Sequence, residues 1–559
     1  MSGEVIALRE RKPLADAEAR RAIRDDVHAT LVVEAAAGTG KTTELVARII
    51  TLLVTGTATL QQLLAVTFTE KAAGEMKLRV RTEIEKARTA ATDPAQRARL
   101  EAALEDLEAA AIGTIHGICA DLLRERPVEA RIDPAFQVAA DEAAQALFEG
   151  AFEEWFQGVL ADPPEGVRRL LRRSPRSGQR TNKEQLAWAA RELVEHRDFT
   201  AAWERRPFHR AQELEAILSE LRELVEPSPR ALNPNDKLAQ SIATLWRHLD
   251  EHERLERIAP RDPDVVEAEL CALISMDAWH WRDQGRGKLF AQGLPREVML
   301  ERRAHMRTSL EAFAQRTEAD LAALLREELR PVVAAYERRK AAAGCLDFLD
   351  LLGTARTLVR DVAGVRRELQ QRFTHLLVDE FQDTDPLQAE LLLLLAADDA
   401  RQTDWLRVRC IPGKLFVVGD PKQAIYRFRR ADIALYEQLK EQLLAGGARL
   451  LTLSTSFRSV PTVQRAINAA FEPLMLATAE RSQASYVPLT ASREDDVNQP
   501  AVVALPVPEP AFFNGELTKK SVKASLPAAV GAFVHWLVTR SKWTVSERDS
   551  GKRVPIEAR

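Results

Sequence analysis

The chain has 559 residues, of which 46% are hydrophobic and 29% charged, and a net charge of −4. That length allows roughly three or four domains, and the composition is that of a globular chain with ample core, not of a disordered or fibrous one. A molecule of this charge does not bind nucleic acid through its overall field, so any such binding has to come from a local groove.

The amino terminus, MSGEVIALRERKP, lacks a signal-peptide core, and no apolar run is expected to span a bilayer, so no membrane partner is expected. A first strand is expected at 31–34. It runs into Ala35-Ala36-Ala37-Gly38-Thr39-Gly40-Lys41-Thr42-Thr43. Small residues let backbone N–H groups approach phosphate oxygens, and the helix starting near Lys41 points its positive end at them. In such a P-loop the lysine, Lys41, reaches the β- and γ-phosphates of ATP, and the Thr42 hydroxyl ligates Mg²⁺. The usual pattern opens with Gly where this chain has Ala35. A strand–helix turn without a ligand is the alternative. Against it, the strand, loop, Lys-Thr pair and amphipathic helix (Leu45, Ile49, Leu52, Leu53) occur together.

Strands are next expected at 63–67 and 111–114, and residues 84–110 read as a long charged helix broken near Asp93-Pro94. Residues 137–335 differ in composition. They are rich in Ala, Leu, Glu and Arg and hold Trp155, Trp188, Trp203, Trp246, Trp279 and Trp281. They read as a helical insertion, with the tryptophans as packing core. Within it RRLLRRSPRSGQRTNK, residues 168–183, carries seven basic residues and no acid. It reads equally as a phosphate contact or as a solvated helix end and turn. Strands follow at 375–379, 415–418 and 450–453. LLLLLAA at 391–397 reads as a buried helix, and 463–471 and 526–540 as further helices. The strand Leu376-Leu377-Val378 delivers two carboxylates: Asp379 to hold Mg²⁺ and Glu380 to orient and activate the attacking water. Strands alternating with helices predict a parallel α/β sheet whose ligands sit at the carboxyl ends of the strands, where all these motifs fall. Cys119, Cys271, Cys345 and Cys410 show no metal-ligand spacing and read as reduced, mostly buried thiols of a cytoplasmic protein.

From DEFQD, residues 379–383, the chain begins to resemble the superfamily 1 DNA helicases of the UvrD/Rep type. AVTFTEKAAG (65–74), IGTIHGIC (112–119), GCLDFLDLL (344–352), VVGDPKQAIYRFRRAD (417–432) and LTLSTSFRS (451–459) resemble that family's motifs in order, with Ser456 where Asn is commoner. The phrases GDPKQAIYRFR and AAAGTGKT lean toward the RecB/AddA branch, motor subunits of recombination helicase–nucleases. The resemblance implies a RecA-like P-loop NTPase domain built from 1–136 and 336–447, a helical insertion at 137–335, and part of a second RecA-like domain at 448–559. It implies that Gln423 senses the γ-phosphate, that Arg458 supplies positive charge to it, and that Phe457 lies near the adenine. It also implies that Phe68, Thr114, His116, Tyr426, Phe428 and Arg429 face single-stranded DNA, where aromatic rings stack on bases and Arg neutralises phosphate.

The activity so implied is an ATP-dependent, 3′ to 5′ DNA helicase or translocase of repair or recombination, working on single-stranded DNA and duplex junctions. The implied partner is a second, different chain of a helicase–nuclease. Two departures stand out. Ala19 occupies the place of a Gln that reads adenine, which puts base selectivity in question. The family's later "TxHxxKGLE" and "VAxTRA" motifs do not occur, so the chain is expected to be truncated before them. The alternative function is therefore an ATP- and DNA-binding module with little hydrolysis of its own, completed by a missing region or a partner chain. A kinase or GTPase would require DEFQD, GDPKQAIYRFR and TSFRS to be coincidental.

Overall fold

Six short apolar runs become the strands of one parallel sheet: β1 (Leu31–Ala35), β2 (Leu63–Thr67), β3 (Ala111–Thr114), β4 (His375–Val378), β5 (Leu415–Gly419) and β6 (Arg449–Leu453). Their order across the sheet is β6-β1-β5-β4-β2-β3, and every pairing is parallel. Parallel strands are covered on both faces, which is why β2 and β5 are buried at every residue. On one face Leu31, Val33, Ala65, Ile112, Leu377, Phe416 and Leu453 share a core with Ile23, Leu45, Ile49 and Val80. The computed structural model describes residues 14–558 except 176, 177, 179, 200, 202, 204, 277, 278, 280–286, 428, 429, 477–482, 506–511, 514, 515 and 548–551.

The helices around the sheet start where side chains can cap them. Thr69 caps Glu70–Ala90 by accepting from the Ala72 N–H, and Thr114 caps Ile115–Glu125 through the Gly117 N–H. The charged stretch breaks as expected: Asp93 caps a new helix, Pro94–Glu105, with proline at its first position. The leucine run lies in Pro386–Ala396 and is buried.

The chain divides into two compact units, Met1–Arg131 with Thr354–Arg559 and Ile132–Gly353. The second is helical. It includes Asp141–Val159, Arg210–Val225, Lys237–Glu256 and the long helix Arg296–Glu328. It is wider than the 137–335 expected from composition, because Gln137–Val138 pairs with Cys345–Leu346 inside it.

Several expectations need correction. The strand at 449–453 pairs along its whole length with β1, from Leu31↔Arg449 to Ala35↔Leu453. It is the edge of the first sheet, and a boundary at 448 cuts through that sheet. An apolar run states that it is a strand, not which sheet it joins. The tryptophans are not uniformly core. Trp155 and Trp279 are buried, whereas Trp188, Trp203 and Trp246 are 50%, 59% and 38% exposed. Trp188 and Trp203 lie under the guanidinium groups of Arg180 and Arg326, and Trp281 lies outside the described residues. Of the cysteines Cys119 alone is buried, and the other three are half-buried. Finally, the helix Lys519–Thr539 contains a stretch, Val522–Thr539, long and apolar enough by length and composition to cross a membrane.

Candidate functional site

β1 ends in the loop 36–40, and the helix Lys41–Thr55 begins directly after it. Gly38 has φ +77°, a conformation that costs a side chain strain, and a Cβ there would lie 2.5 Å from the Arg458 Cβ. Thr39 is buried, its hydroxyl donating to the Ala36 carbonyl at 2.7 Å, which holds the loop's turn. Ala35 and Ala36 are buried and Ala37 is exposed. The amides at the start of this helix have no partner within it and face the loop's mouth, the arrangement that suits phosphate.

Two strands away β4 delivers Asp379 and Glu380. The Thr42 hydroxyl donates to Asp379 Oδ2 at 3.2 Å, and Lys41 Nζ donates to Glu380 Oε2 at 2.5 Å. Glu380 has φ 52° and ψ 44°, a left-handed backbone uncommon for a side chain of this size. Such strain is kept where the surroundings enforce it. Burial, and then the charge of Glu380, push the Asp379 carboxyl up to about 6, against the lowering influence of Lys41. Burial and Glu380 likewise push Asp383 up to about 6. A hydroxyl and a buried carboxylate converging at one point, with negative charge in excess, is a donor set that fits Mg²⁺. Thr42 and Asp379 would hold the ion.

β6 lies on the other side of β1, and the chain after it folds back over the loop. The Phe457 N–H donates to the Gly38 carbonyl at 2.8 Å, which seats Phe457 and Arg458, both exposed, beside the phosphate loop. This segment is clamped by residues that carry no motif in the sequence. Asp16 accepts from the Ser454 and Thr455 N–H groups at 3.0 and 2.9 Å. Arg20 pairs with Asp16, donates to Glu44 at 3.0 Å and to the Thr39 carbonyl at 2.9 Å, and lies 5.0 Å from the centre of the Phe457 ring. Burial alone would raise Asp16, but Arg20 and the Thr455 N–H together hold it below the ordinary carboxylate range. Ala19, in place of the expected Gln, packs against the core. Its neighbour Arg20 therefore brings the polar group to this corner.

β5 ends in Asp420, which accepts from Gln423 Nε2 at 2.6 Å and pairs with Lys422 at 2.8 Å. Further along the same loop the Tyr426 ring lies 4.6 Å from that of Phe68, at the end of β2. Both are half-exposed. The structure thus brings Lys41, Thr42, Asp379, Glu380, Phe457 and Arg458 around one cleft, with Gln423 on the adjoining loop. His116 is half-buried in the first turn after β3. Thr114 differs from the expectation: it is buried, its hydroxyl donating to Glu70 at 2.5 Å while it caps the helix. Its role in this structure is structural. Phe428 and Arg429 lie outside the described residues.

The basic run in the helical unit is also resolved in favour of structure. Arg168 and Arg172 reach Asp264 and Asp262 at 2.5 and 3.3 Å. Arg169 is fully buried between Glu267 and Asp320 at 3.0 and 2.7 Å. Arg173 and Lys183 meet Glu318 and Glu153. The carboxylates come from distant helices, so a local count of charge could not show them. The same holds for the aspartates of GCLDFLDLL: Asp347 accepts from Arg197, Lys340 and Tyr336 at 2.6, 3.0 and 2.9 Å.

The profile of the family described as "UvrD/REP helicase N-terminal domain" matches residues 15–443. The chain is 32% identical over 502 residues to the AddA chain of the ATP-dependent helicase/nuclease of Desulforudis audaxviator, a match covering 80% of this chain and 39% of that protein. The AddA proteins of Pediococcus pentosaceus and Syntrophomonas wolfei are 27% and 28% identical, each match covering 82% of this chain and 38% of theirs. The chain thus spans about two fifths of the length of the curated relatives it matches. With the profile extending over most of the chain, from the clamp at Asp16 through the P-loop to the helix after Asp432, the chain belongs to the UvrD/Rep helicase family.

Proposed function

We propose that this chain is the amino-terminal motor portion of an ATP-dependent DNA helicase or translocase of the AddA kind. Lys41 and the loop amides hold the β- and γ-phosphates, and Thr42 and Asp379 hold Mg²⁺. Glu380 accepts the proton of the attacking water, and Arg458 adds positive charge at the γ-phosphate. When bound, Mg²⁺ supplies charge neutralisation on the phosphates. Phe457 stacks on the base. Phe68, His116, Tyr426, Phe428 and Arg429 line the path of single-stranded DNA, and Gln423 links the two sites. Residues after Leu453 begin a second RecA-like domain. Movement 3′ to 5′, a cytoplasmic role in repair or recombination, and partnership with a second helicase–nuclease chain follow from the family and from the relatives' names.

The observation that carries this reading is the convergence of Lys41, Thr42, Asp379 and Glu380 from β1 and β4, with the Phe68–Tyr426 pair on the neighbouring loops. ATP turnover by the purified chain, with and without oligo-dT, tests it. Turnover stimulated by DNA and absent in Lys41→Ala is the expected result. Turnover indifferent to DNA would refute a DNA motor. Lys41-dependent nucleotide binding with negligible turnover would favour the second reading, a nucleotide- and DNA-binding module.

A further inference from the structure

Gln382 is 2% exposed, and both ends of its carboxamide are engaged. Its Nε2 donates to Glu380 Oε2 at 2.8 Å and to Asp383 Oδ2 at 3.2 Å, while its Oε1 accepts from the Asp420 N–H at 2.7 Å. The fit is close: a Cβ at Gly419 would lie 2.6 Å from that Oε1. Gln382 therefore bridges the loop after β4, which carries the catalytic carboxylates, and the loop after β5. On that second loop Asp420 caps the turn Pro421–Gln423 and holds the Gln423 side chain, and Tyr426 meets Phe68.

We infer that Gln382 is a positioning residue that couples the nucleotide and DNA sites by tying the orientation of Glu380 to the backbone of Asp420. The chemistry is particular to a carboxamide, which donates to a carboxylate and accepts from an N–H in one fixed geometry. A carboxylate here would face Glu380 and Asp383 with like charge. A hydrocarbon would strand the Asp420 N–H and a Glu380 oxygen in a buried place. In the structure Glu380 is held from two sides, by Lys41 and by Gln382. Phosphate that draws Lys41 away leaves Gln382 as its remaining side-chain partner among those described. Movement of the Asp420 loop as DNA stacks on Tyr426 then reaches Glu380 through one side chain. Coupling of this kind is reciprocal, so nucleotide must change DNA affinity by the same factor.

The inference rests on the proposed DNA-motor reading, and its test does not require turnover. Affinity for oligo-dT is measured with and without Mg²⁺ and a non-hydrolysable ATP analogue, in the wild type, Gln382→Leu and Gln382→Glu. The wild type is expected to show a coupling factor of about fivefold or more. Gln382→Leu is expected to bring that factor to about one, with separate affinities for DNA and analogue within about threefold of wild type. In Gln382→Glu, lowering the pH from 8 to 6 is expected to restore coupling relative to wild type at each pH. A protonated carboxyl can make the same two bonds, whereas leucine gains nothing. A merely structural role would lower the separate affinities together and give no pH-dependent rescue, and that result overturns the inference. So does full coupling in Gln382→Leu, or a wild type that binds both ligands without coupling. A wild type that binds neither ligand overturns the functional reading instead.

Discussion

In the helical unit Arg169 is fully buried yet meets Glu267 and Asp320, and Asp347 is met by Arg197, Lys340 and Tyr336. In the sheet unit Asp379 and Asp383 are buried beside Glu380 with Lys41 as the nearby cation. The carboxylates respond in opposite directions. Asp264, Asp320 and Asp347 resist the effect of burial because arginines and a lysine hold them below the ordinary range. Asp379 and Asp383 yield to it and rise to about 6. Buried charge that closes on itself is architecture. Buried charge left in excess at the mouth of a loop is a place for a cation.

The comparison can be broken most forcefully at Arg169. Arg169→Ala leaves Glu267 and Asp320 buried without their closest cation, and a loss of about 3 kcal/mol or more in denaturant unfolding is expected. Neutralising a carboxylate in the other unit should do the reverse. Asp379→Asn removes an uncompensated buried charge, so the ligand-free chain should gain about 1–3 kcal/mol at pH 7.5 while losing Mg²⁺-dependent nucleotide binding. If both substitutions destabilise alike, the distinction between closed and open charge is wrong.

The same contrast sets a pH dependence. The folded values of Asp379 and Asp383 lie above the ordinary 3.8, so protons bind the folded state more tightly. Their contribution to stability therefore rises as pH falls from 7 to 5. Asp264, Asp320 and Asp347 are lowered, so their contribution is intact above about 4 and is lost below it. Unfolding of wild type and Asp379→Asn at pH 5.5 and 7.5 should show their difference shrinking at the lower pH. Mg²⁺ affinity should fall below pH 6, at up to about tenfold per unit. The smallest effect is expected at Arg172, whose partner is Asp262. Arg172→Ala should change DNA affinity less than about twofold and leave the slope of log affinity against log salt unaltered.

What could be seen in the sequence follows from how local each signal is. The six strands fell within one residue of their expected limits, because each is a short apolar run ending at a motif. The P-loop and the acidic strand were equally plain, since the residue types that face phosphate and Mg²⁺ sit side by side. Partners supplied from afar were not visible. The basic run gave no sign that Asp262, Asp264, Glu267, Glu318 and Asp320 would meet it. Nor did Asp16 and Arg20 show that they would hold residues 454–457, more than 430 positions later. Gln382 was in plain sight within DEFQD, but its use depends on the neighbouring order of β4 and β5, which spacing does not reveal. The strand 449–453 was recognised as a strand and placed in the wrong sheet for the same reason.

The most direct test of an open phosphate and cation site in the sheet unit is calorimetric titration of the ligand-free chain with a non-hydrolysable ATP analogue in Mg²⁺, for wild type and Lys41→Ala. One site per chain, lost in Lys41→Ala, is the predicted result. No binding by the wild type, or binding that survives the loss of Lys41, would contradict it.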